Sequence, residues 1–484
     1  MHQRRILILS LLIYILTAWF SEGYYHWDEH FQITEFAGLK LGLTEKSDLP
    51  WEYNCQMRQG IQPLIVYDIY KFSSGVGIVD PFIISFISRL LAAAISFISI
   101  YLMVKLYSGK IGNIKLQYAF LLLSFLLWFS VFNSVRFSSE SLAGRIFVIG
   151  FALFLMKTRS KPVDYFTSGI ILGFAFLVRY QVVFMIAGFI AWLVFIHKAG
   201  IRNLLIFSVG FSLVLLLGVL IDRWFYGDWI LTTWNYFNQN MLLGKAAGFG
   251  IQPWWYYIEQ TFMNALPPFS LVYIFAIIIY VIYKPKDVIT WIIVPFLIAH
   301  FMIGHKEIRF IFSIIGFLPI MIISSAQIIL EKTGYKFFER KAVKVFVKVF
   351  WYTNLIMLGI VIFRPADDQI SIYKKLYYHY PAPTILYYIE DNPYHRVDLN
   401  INFYKRKDLV IRQVTSMNMI DPGNDTTALF ATEKPVLPPV WFKPNLIYSS
   451  FPEWVKLFDI NNWVERTFFW NIYELKKVTS LRNI

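Results

Sequence analysis

Two acidic residues stand side by side near the N-terminus, in the stretch YYHWDEHFQITEFA that begins at Tyr24. Asp28 and Glu29 are flanked by His26 and His30, and the first very apolar run of the chain ends shortly before them. A carboxylate in such a position can act as a general base that removes the proton of an acceptor hydroxyl group. The same side chains could also bind a cation, so the residues alone leave two kinds of chemistry open.

A second polar group, GHKEIRF, follows a later apolar run and contains His305, Lys306, Glu307 and Arg309. Clustered cationic side chains suit an anionic leaving group, because preorganised positive charge stabilises a departing phosphate. Further charged residues at the ends of apolar runs are Arg136, Glu140, Arg179, Asp222 and Arg223. The spacing of Arg136 and Glu140 predicts that both lie on one face of a helix.

The composition indicates that these residues belong to a membrane protein. Of the 484 residues, 57% are hydrophobic and 16% are charged, and the mean hydropathy is +0.52. Soluble domains rarely reach such values. The net charge of +14 comes mostly from short basic clusters between apolar runs. This pattern fits membrane topology better than nucleic-acid binding, so we expect membrane lipids and no nucleic acid among the partners.

Eleven apolar runs approach the length of about 20 residues that a membrane-spanning helix needs. They cover residues 6–20, 81–104, 116–133, 141–156, 164–179, 181–197, 203–221, 268–283, 288–303, 308–330 and 345–363. If these runs alternate across the membrane, the basic clusters all fall on one side, which the positive-inside rule assigns to the cytoplasm. The polar groups described above then share the external face, where they predict a polar cavity at the membrane surface.

The chain is therefore predicted to be an all-α polytopic membrane protein of about 11 transmembrane helices with external loops. We expect a transmembrane catalytic domain over residues 1–363, in which the external loop 21–80 carries Asp28 and Glu29. The region 364–484 is less apolar, and its segments RVDLNINFY and KDLVIRQVT alternate as strands do. This pattern predicts a small external α/β or mixed domain there.

A general base and a phosphate-binding group at a membrane surface describe group transfer from a lipid phosphate. The alternative at His26, Asp28, Glu29 and His30 is metal binding, but their spacing matches no familiar zinc motif. We therefore expect no structural metal at these residues. A loosely bound divalent cation on Asp28 and Glu29 stays open as the alternative.

Several motifs together give the chain a family resemblance. WDEHFQITEFA, followed by LPWEY and RQGIQPLI, resembles the first external loop of the lipid-phosphate-mannose-dependent mannosyltransferases of the GT-C superfamily, and looks closest to the enzyme that adds the third mannose of GPI anchors. GHKEIRF is similar to the His-Lys-Glu-x-Arg-Phe motif of the same family. DRWFYGDWILTTWNYFNQN and GFGIQPWWYYIEQ also look like its loop motifs. One departure is Trp27, where the family usually has proline.

The resemblance implies an α-mannosyltransferase with the GT-C fold that takes mannose from a polyprenyl or dolichyl phosphate and transfers it with inversion to a glycan or glycolipid. Such a donor carries a single phosphate, so the resemblance also implies that no cofactor is required. Carried over to this sequence, Asp28 would be the general base and Glu29 would orient the acceptor or a neighbouring donor. The donor phosphate would be bound by His305, Lys306, Arg309, Arg136 and Arg179. The acceptor or sugar would contact His30, Gln32, Trp51, Arg58, Asp222 and Trp254. The tryptophans are equally typical of the interfacial aromatic belt.

Two other functions remain open from the sequence. One is a GT-C transferase of another sugar, such as arabinose or glucose. The other is a flippase or transporter of lipid-linked sugars, which should show repeated halves and polar midplane helices. The membrane would be a bacterial inner membrane with a periplasmic active site, or the endoplasmic reticulum with a lumenal one.

Overall fold

The computed structural model describes residues 2–380, 383–420, 427–433, 438–439, 442–451, 453–459, 461 and 463–476. Asn424, which begins the sequence NDTT, a weak glycosylation acceptor, lies outside these residues. Most of the described chain is helical, and its α-helices are α1 (His2–Phe20), α2 (Trp27–Glu29), α3 (Glu35–Leu41), α4 (Trp51–Asn54), α5 (Ile61–Gly75), α6 (Pro81–Tyr107), α7 (Ile114–Leu126), α8 (Trp128–Ser134), α9 (Ser139–Leu155), α10 (Pro162–Val178), α11 (Val183–Phe195), α12 (Ile201–Tyr226), α13 (Thr232–Phe237), α14 (Tyr256–Ala265), α15 (Phe269–Tyr283), α16 (Val288–Met302), α17 (Leu318–Thr333), α18 (Tyr335–Glu339), α19 (Lys341–Phe363), α20 (Ile370–His379), α21 (Glu453–Lys456) and α22 (Trp463–Arg466).

Five helical segments among the described residues are long and apolar enough to cross a membrane. They are Gln3–Phe20, Pro81–Lys110, Ile201–Tyr226, Ile308–Thr333 and Lys341–Phe363. A sixth is possible if α7 and α8, which bend by 41° at their junction, form one broken span. The predicted run 116–133 is therefore two helices in the structure. The multi-pass character is confirmed by these segments.

The other predicted spans are also helical, but they are shorter. The uncertain region 164–197 forms α10 and α11, and 268–303 contains α15 and α16; these four are apolar helices of fewer than 18 residues. The run 141–156 corresponds to α9. The count of eleven spans consequently stays a prediction.

Helix α12 shows the surface expected of a lipid-facing helix. Leu205, Val209, Leu213, Leu216 and Leu220 recur every three or four residues, and each is exposed in the protein alone. Spacing of this kind places them on one side of the helix. A stripe of large apolar residues that is not covered by protein is explained by contact with lipid.

The chain divides into two compact units. Unit 1 consists of residues 1–21, 51–77 and 84–364, and unit 2 consists of residues 22–50, 78–83 and 365–484. Unit 1 is helical, and its core includes the fully buried rings of Phe147, Phe151, Phe189 and Phe317, which pack edge to face. The segment that carries Asp28 and Glu29 belongs to unit 2.

Unit 2 contains a mixed sheet beside its helices. The described strands are β1 (Thr384–Tyr388), β2 (His395–Arg396), β3 (Leu399–Asn400), β4 (Leu409–Gln413), β5 (Thr427–Thr432), β6 (Asn445–Ser449) and β7 (Asn471–Leu475). Five of them form a sheet in the order β4-β1-β5-β7-β6, in which β1 is parallel to β4 and β5, and β7 is antiparallel to β5 and β6. Buried side chains such as Tyr387, Phe430 and Leu475 cover one side of it.

The sheet confirms the mixed character that alternation in the sequence predicts for this region. KDLVIRQVT contains β4, as expected. RVDLNINFY does not form one strand: it contains part of β2 and all of β3, which pair in a separate two-stranded ribbon. Val397 and Asp398 between them have positive φ angles of 45° and 63°, which reverse the chain.

Candidate functional site

The GHKEIRF turn in unit 1 joins a second loop that carries another motif of the sequence. His305 Nδ1 lies 3.2 Å from the carbonyl oxygen of Gly250, and the Gln252 amide donates a 2.9 Å hydrogen bond to the carbonyl oxygen of Gly304. Phe249 also contacts the His305 ring. The turn and the GFGIQPWW loop are therefore one structural feature, although 54 residues separate Gln252 from Lys306.

Lys306 is almost fully buried at the centre of this feature. Its ammonium group donates to the carbonyl oxygens of Ile303, Gly304 and Gln252, the last at 2.9 Å. An ammonium group has three protons, so each has a backbone acceptor here. Burial lowers the pKa of Lys306. In this arrangement the lysine satisfies carbonyl groups at the end of α16 and holds the loop, so its direct contact with a donor phosphate stays a prediction.

A chain of charged side chains leads from His305 into the protein. His305 Nε2 lies 3.1 Å from Glu307 Oε1, and Arg309 Nε donates to Glu307 Oε2 at 2.6 Å. Glu140 Oε1 accepts from Arg309 Nη1 at 2.8 Å and lies 3.1 Å from Arg179 Nη2. The hydrogen bond to Glu307 raises the pKa of His305 against the opposing effect of burial. The structure thus brings together three of the residues predicted for donor phosphate, His305, Arg309 and Arg179.

The local structure explains how Glu140 and Arg309 meet. Residues 308–317 form a 3-10 helix, far longer than the three or four residues usual for this form. Helix α9 approaches it so closely at Gly144 that a β-carbon there would collide with the backbone of Ser313. The Ser313 hydroxyl donates to the Glu140 carbonyl oxygen at 3.1 Å. The absence of a side chain at Gly144 therefore allows the contact that places Glu140 beside the arginines.

The prediction that Arg136 and Glu140 share a helix face is wrong. Helix α9 begins at Ser139, and Ser138 caps it, so Arg136 lies before the helix. The Arg136 side chain is buried and donates a 2.5 Å hydrogen bond to the carbonyl oxygen of Ser21. A four-residue spacing places two side chains together only when the helix includes both.

The remaining predicted residues of unit 1 lie in several environments. Asp222 is buried and accepts hydrogen bonds from the Gly60 amide at 2.8 Å and the Thr232 hydroxyl at 2.6 Å, so it joins three segments. Arg58 lies 3.4 Å from Glu52. Trp51 stacks on Phe249, and Trp254 is 61% exposed on the loop before α14.

Asp28 and Glu29 occupy different environments in unit 2. The Asp28 side chain is 25% exposed, and its amide donates a 3.3 Å hydrogen bond to His26 Nδ1. Glu29 is buried, and its Oε2 accepts from the Tyr25 amide at 3.0 Å. Both residues precede a π-helical turn, His30–Thr34, a form found often at functional sites. Asp28 is thus the more accessible carboxylate of the pair.

His30 lies in the core of unit 2. It is 1% exposed and lies between the rings of Tyr24 and Tyr404, and its Nε2 is 2.8 Å from Glu35 Oε1. Gln32 is buried as well. A contact of either residue with acceptor stays a prediction.

Glu35 binds several groups in the core of unit 2, and this role was not predicted from the sequence. Its carboxylate accepts from the amides of Asn402 at 2.7 Å and Phe403 at 3.0 Å and from the Thr44 hydroxyl, besides its contact with His30. Burial would raise its pKa, but the hydrogen bonds and charge interaction with His30 and these donors together lower it. A lone acid inside FQITEFAGL is the signal available in the sequence. Its five-residue distance from His30 fits a π-helical turn and is missed by α-helical spacing.

The described residues contain no group of three or more His, Cys, Asp or Glu side chains able to hold a metal ion. The charged network of unit 1 has a different character. Lys306, Arg179 and Arg309 outnumber Glu140 and Glu307, and His305 can add a further positive charge. A buried excess of positive charge favours an anion such as phosphate.

Comparison with known proteins identifies the class. The profile of the Alg9-like mannosyltransferase family matches residues 6–385, most of the chain, so the protein belongs to this family. It is 24% identical over 403 residues to Mannosyltransferase APTG1 of Arabidopsis thaliana, covering 81% of this chain and 71% of that protein. It is also 24% identical over 390 residues to the human GPI alpha-1,2-mannosyltransferase 3, covering 78% of this chain and 66% of the relative.

The fold agrees with this assignment. The crystal structure of ArnT from Cupriavidus metallidurans bound to undecaprenyl phosphate superimposes with a TM-score of 0.54 over 99% of this chain and 98% of that one, at 11% identity. The predicted GT-C fold and the predicted enzyme class, a membrane glycosyltransferase, are confirmed.

Proposed function

We propose that this protein is an α-mannosyltransferase that uses a polyprenyl or dolichyl phosphate mannose as donor and a glycan or glycolipid as acceptor. The observation that carries the proposal is the joining of the GHKEIRF turn to the GFGIQPWW loop in a chain of the Alg9-like mannosyltransferase family. Two relatives carry mannosyltransferase in their names, and the ArnT structure contains a polyprenyl phosphate.

Asp28 is the general base of the proposed reaction. Its carboxylate takes the proton of the acceptor hydroxyl, whose oxygen then forms a bond to the anomeric carbon of mannose. The bond from this carbon to the phosphate oxygen breaks, and the lipid phosphate leaves with the electron pair. Attack opposite to a β-linked phosphate gives an α-mannoside. The partial exposure of Asp28, compared with the buried Glu29, supports this division of roles.

In the proposed reaction, cationic side chains stabilise the departing phosphate. His305, Lys306, Arg309 and Arg179 are the proposed donor-phosphate residues, and the excess of positive charge in their network supports this role. Lys306 acts partly by holding the loop that contains Gln252. Arg136 supports the first loop of the chain through Ser21. Such a donor carries one phosphate group, so the proposed reaction needs no tightly bound metal, with a loosely held cation at Asp28 and Glu29 as the alternative.

The active site of the proposed enzyme faces away from the cytoplasm, and eleven helices cross the membrane. The distribution of basic clusters supports this topology. The site would be periplasmic in a bacterium and lumenal in the endoplasmic reticulum of a eukaryote.

The decisive experiment uses the purified full-length protein in lipid nanodiscs. It is incubated with a panel of polyprenyl phosphates carrying mannose, glucose or arabinose, each with a panel of glycolipid acceptors. Linkage analysis of the products should show an α-mannoside and dependence on the mannose donor. Transfer of arabinose or glucose in place of mannose would refute the proposed donor.

A further inference from the structure

A polar cavity of about 290 Å³ lies in unit 1, and none of its lining residues belongs to the GHKEIRF turn. It is formed where α6, α9, α11, α15, α16 and α17 approach one another. Its lining includes Lys110, Lys284, Lys286, Asp287 and Gln327. Its volume is near the lower end of the range for small-molecule sites, roughly 300–1,000 Å³, and fits a headgroup.

The aromatic walls of the cavity hold two of its lysines in place. Lys110 Nζ lies 4.8 Å from the ring centre of Tyr107, and Lys284 Nζ lies 5.7 Å from that of Tyr280. Both tyrosines are buried and line the cavity. Because a cation is attracted to the face of an aromatic ring, these contacts keep the ammonium groups beside the cavity.

The turn that carries Lys284 and Lys286 is fixed by hydrogen bonds to its backbone. The indole N–H of Trp192 donates to the Lys286 carbonyl oxygen at 3.2 Å, and that of Trp291 donates to the Pro285 carbonyl oxygen at 3.1 Å. The Thr290 hydroxyl donates to the Lys284 carbonyl oxygen at 2.8 Å. Because this turn is already held in place, little conformational entropy is lost when its lysines bind a ligand.

The acidic residue in the lining has other partners. Asp287 Oδ1 accepts from the Tyr280 hydroxyl at 2.9 Å and from the Ile289 amide at 2.9 Å, where it caps α16. Gln327 donates to Glu331 at 2.9 Å on the same helix. The lysines therefore leave the cavity with an excess of positive charge.

We propose that this cavity binds a phosphate group, as the headgroup of an anionic phospholipid or as free phosphate. Its lysines belong to the basic loops that the positive-inside rule assigns to the cytoplasmic side. Basic pockets between membrane helices on that side suit anionic lipid headgroups. The inference is independent of the donor and acceptor proposed above.

The test uses the full-length protein in nanodiscs of phosphatidylcholine with increasing phosphatidylglycerol, and native mass spectrometry counts the retained anionic lipids. The variant combines Lys110→Gln, Lys284→Gln and Lys286→Gln. The matched control combines Lys341→Gln, Lys344→Gln and Lys348→Gln, which removes equal charge at the start of α19, outside the cavity lining. We expect the cavity variant to lower retention roughly tenfold or more, and the control to change it little. Equal losses in the two variants would indicate diffuse attraction and rule out a lipid headgroup in the cavity.

A second arm distinguishes the two sources of phosphate. Inorganic phosphate is titrated into protein labelled with 5-fluorotryptophan in pure phosphatidylcholine, and the Trp192 resonance is identified with Trp192→Phe. A shift that disappears in the cavity variant supports a site for phosphate from either source. Lipid retention without such a shift supports a site specific for the lipid. If the cavity variant changes neither the retention of phosphatidylglycerol nor the response of the Trp192 resonance to phosphate, the proposal is wrong.

Discussion

Lys306 Nζ donates a hydrogen bond of 2.9 Å to the carbonyl oxygen of Gln252, and this bond ties together two motifs 54 residues apart. Because the same ammonium group also contacts the carbonyl oxygens of Ile303 and Gly304, its charge is used to hold backbone. The relationship suggests that Lys306 affects donor use through the position of the loop.

Substitution of Lys306 should therefore change the loop before any donor is added. In Lys306→Met, three carbonyl groups lose the hydrogen bond that Lys306 donates, so hydrogen exchange of the Gln252 amide should increase by at least about tenfold, corresponding to a loss of roughly 1.5 kcal/mol. Exchange measured by mass spectrometry in nanodiscs would detect this change. Lys245→Met, on the same loop segment but exposed, is the control. Unchanged exchange together with weakened donor use would instead indicate direct contact with phosphate.

Asp28→Asn should abolish transfer without unfolding the protein. The asparagine carboxamide cannot take the proton from the acceptor hydroxyl, and loss of a general base typically lowers the rate about 10²–10⁴-fold. Turnover with a mannosyl lipid phosphate measures the rate, and thermal unfolding measures stability. Glu29→Ala is the informative comparison, because it removes the buried acceptor of the Tyr25 amide and should lower stability as well. Normal turnover by Asp28→Asn would refute the assignment of the base.

Glu140→Ala should destabilise unit 1 strongly. Its Oε1 forms ion pairs with both Arg309 and Arg179, and removing it would leave two buried guanidinium groups without their shared acceptor. The loss of one partner from a buried ion pair costs about 3–5 kcal/mol. Chemical unfolding in detergent measures the free energy, with the exposed Glu259→Ala as control. A change below about 1 kcal/mol would show that the network contributes little.

Glu35 should make the stability of the protein depend on pH in the acidic range. Its pKa is lower in the folded protein than the ordinary value of 4.5, so its contribution is fully present above about pH 4.5 and is lost as the pH falls through the lowered folded pKa. The difference in thermal stability between wild type and Glu35→Gln should shrink on acidification below pH 4.5. The exposed Glu45→Gln should show no such trend. A difference between wild type and Glu35→Gln that does not change with pH would contradict the lowered pKa of Glu35.

Transfer should persist in excess EDTA, because a lipid-phosphate donor carries a single phosphate that side chains can neutralise. Activity assays with EDTA, and after addition of Mg²⁺ or Mn²⁺, provide the measurement. A loss of activity that is restored by a divalent ion would favour the cation alternative at Asp28 and Glu29.

The amino-acid sequence by itself determined the class of the protein and the motifs of its candidate site. Long apolar runs require helices in a membrane, because backbone groups there must be satisfied within the segment. Alternation predicted the mixed sheet near the C-terminus, and the order of the motifs pointed to the family. These features depend on residues that are close in the chain, so they can be predicted from residue type and periodicity alone.

Only the tertiary structure decided which charged residues share partners. It joined Glu140 to Arg309 and Arg179, kept Arg136 outside α9, and placed His30 beside Glu35 in the core of unit 2. These outcomes depend on where a helix begins, on a π-helical turn, and on the close approach permitted by Gly144. Such contacts arise when distant segments pack, and the spacing of residues along the chain does not contain that information.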